Sequence, residues 1–150
     1  MANNTSSHIC LRIPPKLSRT SRRRLEALIA RYRRRYGVPS RAVVEVTIAD
    51  DALLAELNRK YRRRDGPTDV LAFPIGRDPA EPDEVWLWGE VYVSADRARE
   101  QAERGRISLD EELAVLVAHG LLHLAGLEDD SARGRAEMDR ATRDLIAGPA

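Results

Sequence analysis

Residues 118–130, Ala-His-Gly-Leu-Leu-His-Leu-Ala-Gly-Leu-Glu-Asp-Asp, constrain this chain more than any other stretch. The run before them, Asp110-Glu-Glu-Leu-Ala-Val-Leu-Val-Ala, reads as helix, so His119 and His123 stand at i and i+4. Residues four apart lie one above the other on a helix face, and both imidazoles can reach one point. Two imidazoles aimed at one point begin a site for Zn²⁺ or a similar ion. Gly126 can take φ > 0 and turn the chain back. That return brings Glu128, Asp129 or Asp130 towards the open side of the two histidines.

Histidines at this spacing also occur as ordinary core residues, and Glu-Asp-Asp after a helix is commonly a solvated turn. Two features favour the metal. The chain has only three histidines, and the helix around these two is strongly apolar. A buried apolar helix has little reason to carry two imidazoles unless something satisfies them.

A chain of 150 residues fits one domain with a real core. We expect a single domain over 1–150, with 1–7 disordered. No apolar run approaches the roughly 20 residues of a membrane span. The polar N-terminus, Met-Ala-Asn-Asn-Thr-Ser-Ser, lacks an apolar signal core. A single cysteine, Cys10, permits no internal disulfide and reads as core, so a cytoplasmic location is expected. The formal net charge of +1 conceals polarity: residues 1–64 carry 16 Lys+Arg against 5 Asp+Glu, and residues 65–150 carry 9 against 19. A basic half, almost all Arg, favours a polyanion such as RNA; mutual neutralisation across the fold explains the charge equally well.

Along the chain, His8–Ile13 is a short strand candidate. Ser18 to Tyr36 reads as a helix with Leu25, Leu28, Ile29 and Tyr32 on one stripe and arginines elsewhere, ended by Gly37 and Pro39. Ala42–Ala49 is β-branched and reads as a strand. Asp50 caps a helix expected to run to about Tyr61. Arg62-Arg-Arg-Asp-Gly-Pro-Thr68 is a basic turn, followed by a strand over Asp69–Phe73. Residues 76–84 form the expected mobile loop. From Val85 to Ser94, Trp86, Trp88, Glu90 and Tyr92 alternate against apolar residues, with a bulge at Gly89. If exposed, the tryptophans can stack bases; as core they simply pack. Ser94 caps a helix to about Arg104, and Ser108 with Glu111 forms a capping box for the histidine helix. A last helix covers Ser131–Ile146, with Met138 in the core beneath the site. The fold class is α+β: a small mixed four-stranded sheet packed with about five helices, its metal site on a late helix carrying His-x-x-x-His.

Three blocks together carry a family pattern. They are Leu57-Asn58-x-x-Tyr61-Arg62-x-x-Asp65-x-Pro67-Thr68-Asp69-Val70-Leu71-x-Phe73-Pro74, Gly89-Glu90-Val91-x-Val93-Ser94, and His119-Gly120-x-Leu122-His123-Leu124-x-Gly126. In this order and spacing the chain resembles the YbeY family of bacterial endoribonucleases, which mature ribosomal RNA, over roughly residues 42 to 146.

The resemblance implies one zinc per chain, held by three side chains with a water at an open fourth position. It places the third ligand at Asp129, where the family pattern has histidine; Glu128 stands where the family has aspartate. Carboxylate oxygen is a legitimate zinc ligand. Its charge cancels part of the ion's, so water there is less acidified than beside three neutral imidazoles. Glu128 and Asp130 are alternative ligands. Arg62 matches the family's arginine near the metal and is expected to bind the scissile phosphate by a two-pronged hydrogen bond. Arg62, Arg63 and Arg64 are the expected RNA contacts. Asp69 either orients a ligand histidine or caps its own turn. Glu90 and Ser94 match the motif, and sheet structure explains them.

The resulting expectation is a metal-dependent, single-strand-preferring endoribonuclease acting on ribosomal RNA precursor, with the ribosome or its small subunit as partner. No membrane and no cofactor beyond the metal are expected. One rival is a zinc peptidase, but the glutamate base that such enzymes carry beside the first histidine is Gly120 here. The other is a non-catalytic RNA- or ribosome-associated module with a degraded metal site.

Overall fold

A computed structural model describes residues 7–11 by their backbone and residues 17–75 and 84–148 in full. The expected disorder of 1–6 and mobility of 76–83 lie outside the described residues. Ser7, grouped with that N-terminal segment, instead begins the first strand.

Side-chain caps fix where the helices begin. Ser18 accepts from the Ser21 amide at the start of α1 (Arg19–Arg35), and Asp50 accepts from Leu53 at the start of α2 (Asp51–Leu57). Ser94, Ser108 and Ser131 do the same for α3 (Ala95–Gly105), α4 (Leu109–Leu124) and α5 (Ala132–Ala147). Each cap satisfies one of the amides that a first turn leaves without an intrahelical partner.

The strands are β1 (Ser7–Leu11), β2 (Ala42–Ala49), β3 (Val70–Pro74) and β4 (Trp86–Ser94). They form a mixed sheet in the order β1-β2-β4-β3, with β3 antiparallel to β4 and the other pairs parallel. Parallel neighbours require crossovers, and α1 and α2 lie within them. The architecture is therefore α+β.

The sheet separates two apolar clusters. Val44, Val46, Ile48, Val91 and Val93 face the main core, with α1, α3, α4 and α5 packed over it. Leu71, Ala49 and Leu54 form a smaller cluster that Phe73, Tyr92, Leu53 and Leu57 border on the other face. Helix α4 lies at the centre of the main core and is buried nearly all round. An apolar helix without a polar face has to be enclosed by other elements, as this one is.

Two local departures from the sequence expectations matter later. The β2–β4 register passes from Val43↔Leu87 to Val44↔Gly89, so the extra residue is Trp88 and the bulge precedes Gly89. The bulge breaks the expected alternation: Trp88 packs on the main core, and its Nε1 donates to the Tyr32 hydroxyl at 3.2 Å. Burial pushes that hydroxyl's pKa up to about 12. The second departure is at α2, which ends at Leu57 rather than near Tyr61. Residues Asn58–Arg62 form one π-helical turn, and Arg63 follows in the left-handed region at φ 55°. Such turns are rare and often mark functional sites.

Candidate metal centre and RNA-facing loop

The end of α4 fixes the candidate site. Gly126 takes φ 97°, and its amide donates to the His123 carbonyl while the Leu127 amide donates to that of Leu122. This is the paired bonding of a Schellman turn, which needs a residue able to adopt φ > 0. The turn carries the Leu127 carbonyl oxygen back to 3.0 Å from His123 Nδ1. A carbonyl can only accept, so Nδ1 carries a hydrogen and donates it to Leu127. Nε2 in turn lies 3.7 Å from Asp129 Oδ2. Asp129 is exposed, as are Glu128 and Asp130.

His119 sits one turn earlier on α4 and is half-buried. Burial lowers its pKa, opposed by the nearby carboxylates of Asp69, Asp139 and Asp129, while His123 adds to the lowering. The imidazole is thereby kept neutral, the state a ligand needs. Asp69 leads into β3. Its carboxylate accepts from Gln101 Nε2 at 3.1 Å, and its carbonyl accepts from the Ser94 amide. Gln101 thus holds the carboxylate from α3, and Asp69 acts on His119 through its charge.

Imidazole nitrogen and carboxylate oxygen are donor types that zinc takes, so the donor chemistry of His119, His123 and Asp129 fits a divalent ion. The expected closed triad is not formed, however. Among the described residues no group of three or more His, Cys, Asp or Glu side chains is gathered tightly enough to hold a metal. His123 and Asp129 meet, but Asp129 belongs to the irregular turn between α4 and α5, where its side chain stays 54% exposed.

Gly120 decides against the peptidase reading on space. A Cβ added there would run into Val91 Cγ1 and lie 3.2 Å from Val70 Cγ2. The position that would carry a peptidase's glutamate faces the sheet at contact distance and has no room for a side chain. Gly89 allows the same closeness from the strand side, since its Cβ would lie 2.7 Å from Leu124 Cδ2. Small residues at both points let α4 lie hard against β3 and β4.

Arg62 ends the π-helical turn on the side of the sheet where α2 packs, with Arg63 and Arg64 beyond it. All three are exposed. Asn58, buried beneath them, ties the loop together: its Nδ2 donates to the Gly66 carbonyl at 3.0 Å, and its own carbonyl accepts from the Arg64 amide. Six residues lie between Arg62 and Asp69, and the seven Cα steps reach at most about 25 Å.

Several participants were not singled out from the sequence. The Leu127 carbonyl was detectable in principle, because an apolar residue just after a helix-ending glycine belongs to the Schellman pattern. Asp139 and Gln101 gave no signal, since their relevance depends on how α5 and α3 pack. Glu112 in the first turn of α4 carries a carboxyl of the kind that ordinarily stays in solvent, yet it is buried. Burial, reinforced by Asp69, pushes its carboxyl above the usual range.

Comparison with known proteins identifies the family. The family model described as endoribonuclease YbeY matches residues 12–148. The chain is 42% identical to the endoribonuclease YbeY of Moorella thermoacetica, over 75% of this chain and 76% of that protein. It is 38% identical to that of Koribacter versatilis, over 89% and 83% of the two chains. Its fold is similar to the solution structure of a Thermotoga maritima protein, with a TM-score of 0.61 and 27% identity over 92% of this chain and 86% of the other. The match spans both the histidine helix and the arginine loop, and on that breadth the chain belongs to the endoribonuclease YbeY family.

Proposed function

We propose that this protein is a metal-dependent endoribonuclease that prefers single strands and acts in ribosomal RNA maturation, with zinc as its ion. The observation that carries the reading is the pair of imidazoles one turn apart on α4, with His123 oriented by Leu127 and approached by Asp129. His119, His123 and Asp129 would hold the ion, with Glu128 and Asp130, the residues on either side of Asp129, as the alternative ligands. The chemistry an ion held there would supply is acidification of water and offset of charge at a phosphate oxygen.

The chain's own residues do the rest. The Leu127 carbonyl holds the His123 ring in one orientation, and such orienting partners commonly govern ligand strength. Asp69, held by Gln101, stabilises positive charge near His119. Arg62 binds the scissile phosphate through two parallel hydrogen bonds and stabilises the charge that develops there, while Arg63 and Arg64 hold neighbouring phosphates. Family membership supports a cytoplasmic enzyme working on or near the ribosome.

The test is cleavage of an unstructured RNA by untagged protein, with and without zinc, beside His119→Ala. Zinc-stimulated cleavage that the variant lacks supports the reading. A second reading, a non-catalytic RNA-associated module, has one observation on its side: the three ligands do not close on one point among the described residues. It predicts RNA binding with no cleavage at any zinc concentration.

A further inference from the structure

Among the described residues Tyr61 is one of the few large apolar side chains left in solvent, at 58% exposure. It stands inside a run of cations, Arg59, Lys60, Arg62, Arg63 and Arg64, on the π-helical turn and its exit. Its ring meets Phe73 edge-on at 5.4 Å between centroids, and Phe73 meets Tyr92 in the same manner at 5.9 Å. Tyr92 is fixed in turn by a 2.7 Å hydrogen bond from its hydroxyl to Glu90. Phe73 and Tyr92 belong to the border of the smaller apolar cluster, whereas Tyr61 stands at its rim and contributes little to burial.

The result is a ring braced against strand β3 and β4 side chains yet left accessible. A braced ring loses little further freedom when a second flat group lies on it. The Lys60 ammonium lies 5.3 Å from the ring centroid, so the ring already accepts a cationic partner on a flexible stem that can yield its place. The backbone supports the same posture. Arg63 holds φ 55° without being glycine, and buried Asn58 bonds both ends of the loop, so the turn that presents Tyr61 is fixed.

We propose that Tyr61 is a stacking platform for an unpaired RNA base, placed beside the phosphate held by Arg62. The proposal rests on RNA being the substrate, and it gives the strand preference a physical source. Bases in a duplex have both π faces covered by their neighbours, whereas an unpaired base can lay one face on an aromatic ring. Stacking tolerates any base, so Tyr61 selects for single-strandedness and not for sequence.

The experiment uses full-length protein and a 2′-O-methyl octanucleotide, which resists cleavage, with 2-aminopurine replacing one base. Affinity is read by anisotropy and stacking by quenching of the 2-aminopurine emission, for wild type, Tyr61→Phe, Tyr61→Leu and Tyr61→Ala. Thermal melting confirms that each variant folds. The expected result is binding about tenfold weaker for Tyr61→Ala and Tyr61→Leu, with quenching lost. Tyr61→Phe keeps both, and a duplex of the same sequence binds all four proteins alike. Equal single-strand affinity and quenching in Tyr61→Ala and wild type would overturn the stack while leaving RNA binding intact. Weakening in Tyr61→Phe equal to that in Tyr61→Ala would overturn it by pointing to the hydroxyl. A parallel loss of duplex binding would overturn it by marking Tyr61 as structural. Absence of RNA binding by wild type would overturn the functional reading itself, and the stack with it.

Discussion

His123 Nδ1 and the Leu127 carbonyl oxygen lie 3.0 Å apart across the turn that ends α4. That single contact couples a backbone motif to the chemistry of a side chain. The Schellman turn exists because Gly126 can hold φ 97°, and its product is an imidazole whose Nδ1 faces the Leu127 carbonyl while its Nε2 lies 3.7 Å from Asp129 Oδ2.

Replacing Gly126 by alanine should therefore damage both stability and the site. No atom lies within 4 Å of the position an added Cβ would take, so the cost is conformational and not steric. It should be about 1 kcal/mol, which lowers the melting midpoint by roughly 2–4 °C. Zinc affinity, measured by competition with a chromogenic chelator, should fall as well. Unchanged affinity would show that the turn does not orient His123.

Gly120→Ala acts by a different cause. The added methyl meets Val91 and Val70 where α4 crosses the sheet, and overpacking of this kind costs about 1–3 kcal/mol. Urea denaturation should show the loss in the midpoint with little change in slope.

The buried Glu112 carboxyl supplies a pH test. Burial and Asp69 raise its pKa, so the folded chain binds its proton more tightly than the unfolded chain does. Ionising Glu112 thus costs stability; the cost is absent below the ordinary value of 4.5 and grows as pH rises through the folded value. Glu112→Gln should raise the melting midpoint at pH 8 and leave it unchanged near pH 4. His119 has the opposite sign: its lowered pKa gives stability that is present above 6.5 and lost as pH falls from there towards the folded value.

Arg62→Ala should keep metal and fold, because the side chain is exposed and forms no part of the core. Cleavage should slow by about 10²–10³-fold if the guanidinium stabilises charge at the phosphate. Unchanged turnover would remove Arg62 from the reaction.

Much of this architecture was legible from residue order. Asp50, Ser94 and Ser108 begin their helices where their short polar side chains can reach a free amide, a local matter that composition reveals. The histidine helix was legible for the same reason, since spacing on a helix face needs no tertiary knowledge. The position of the bulge was not. Whether Trp88 or Gly89 is the extra residue depends on the β2 register and on Tyr32 offering a partner for the indole. The π-helical turn at Asn58–Arg62 was equally hidden, because Leu53, Leu54 and Leu57 continue a helical pattern up to it. Asp129 was legible as a neighbour of His123, whereas the distance of the full triad from closure depends on an irregular turn that no periodicity describes.

The most direct test of the metal-dependent account is the zinc content of untagged protein by elemental mass spectrometry, for wild type, His123→Ala and Asp129→Ala. The account predicts close to one zinc per chain in wild type, none retained in His123→Ala, and a marked reduction in Asp129→Ala. Equal zinc in wild type and His123→Ala, or no zinc in wild type after reloading, would contradict it.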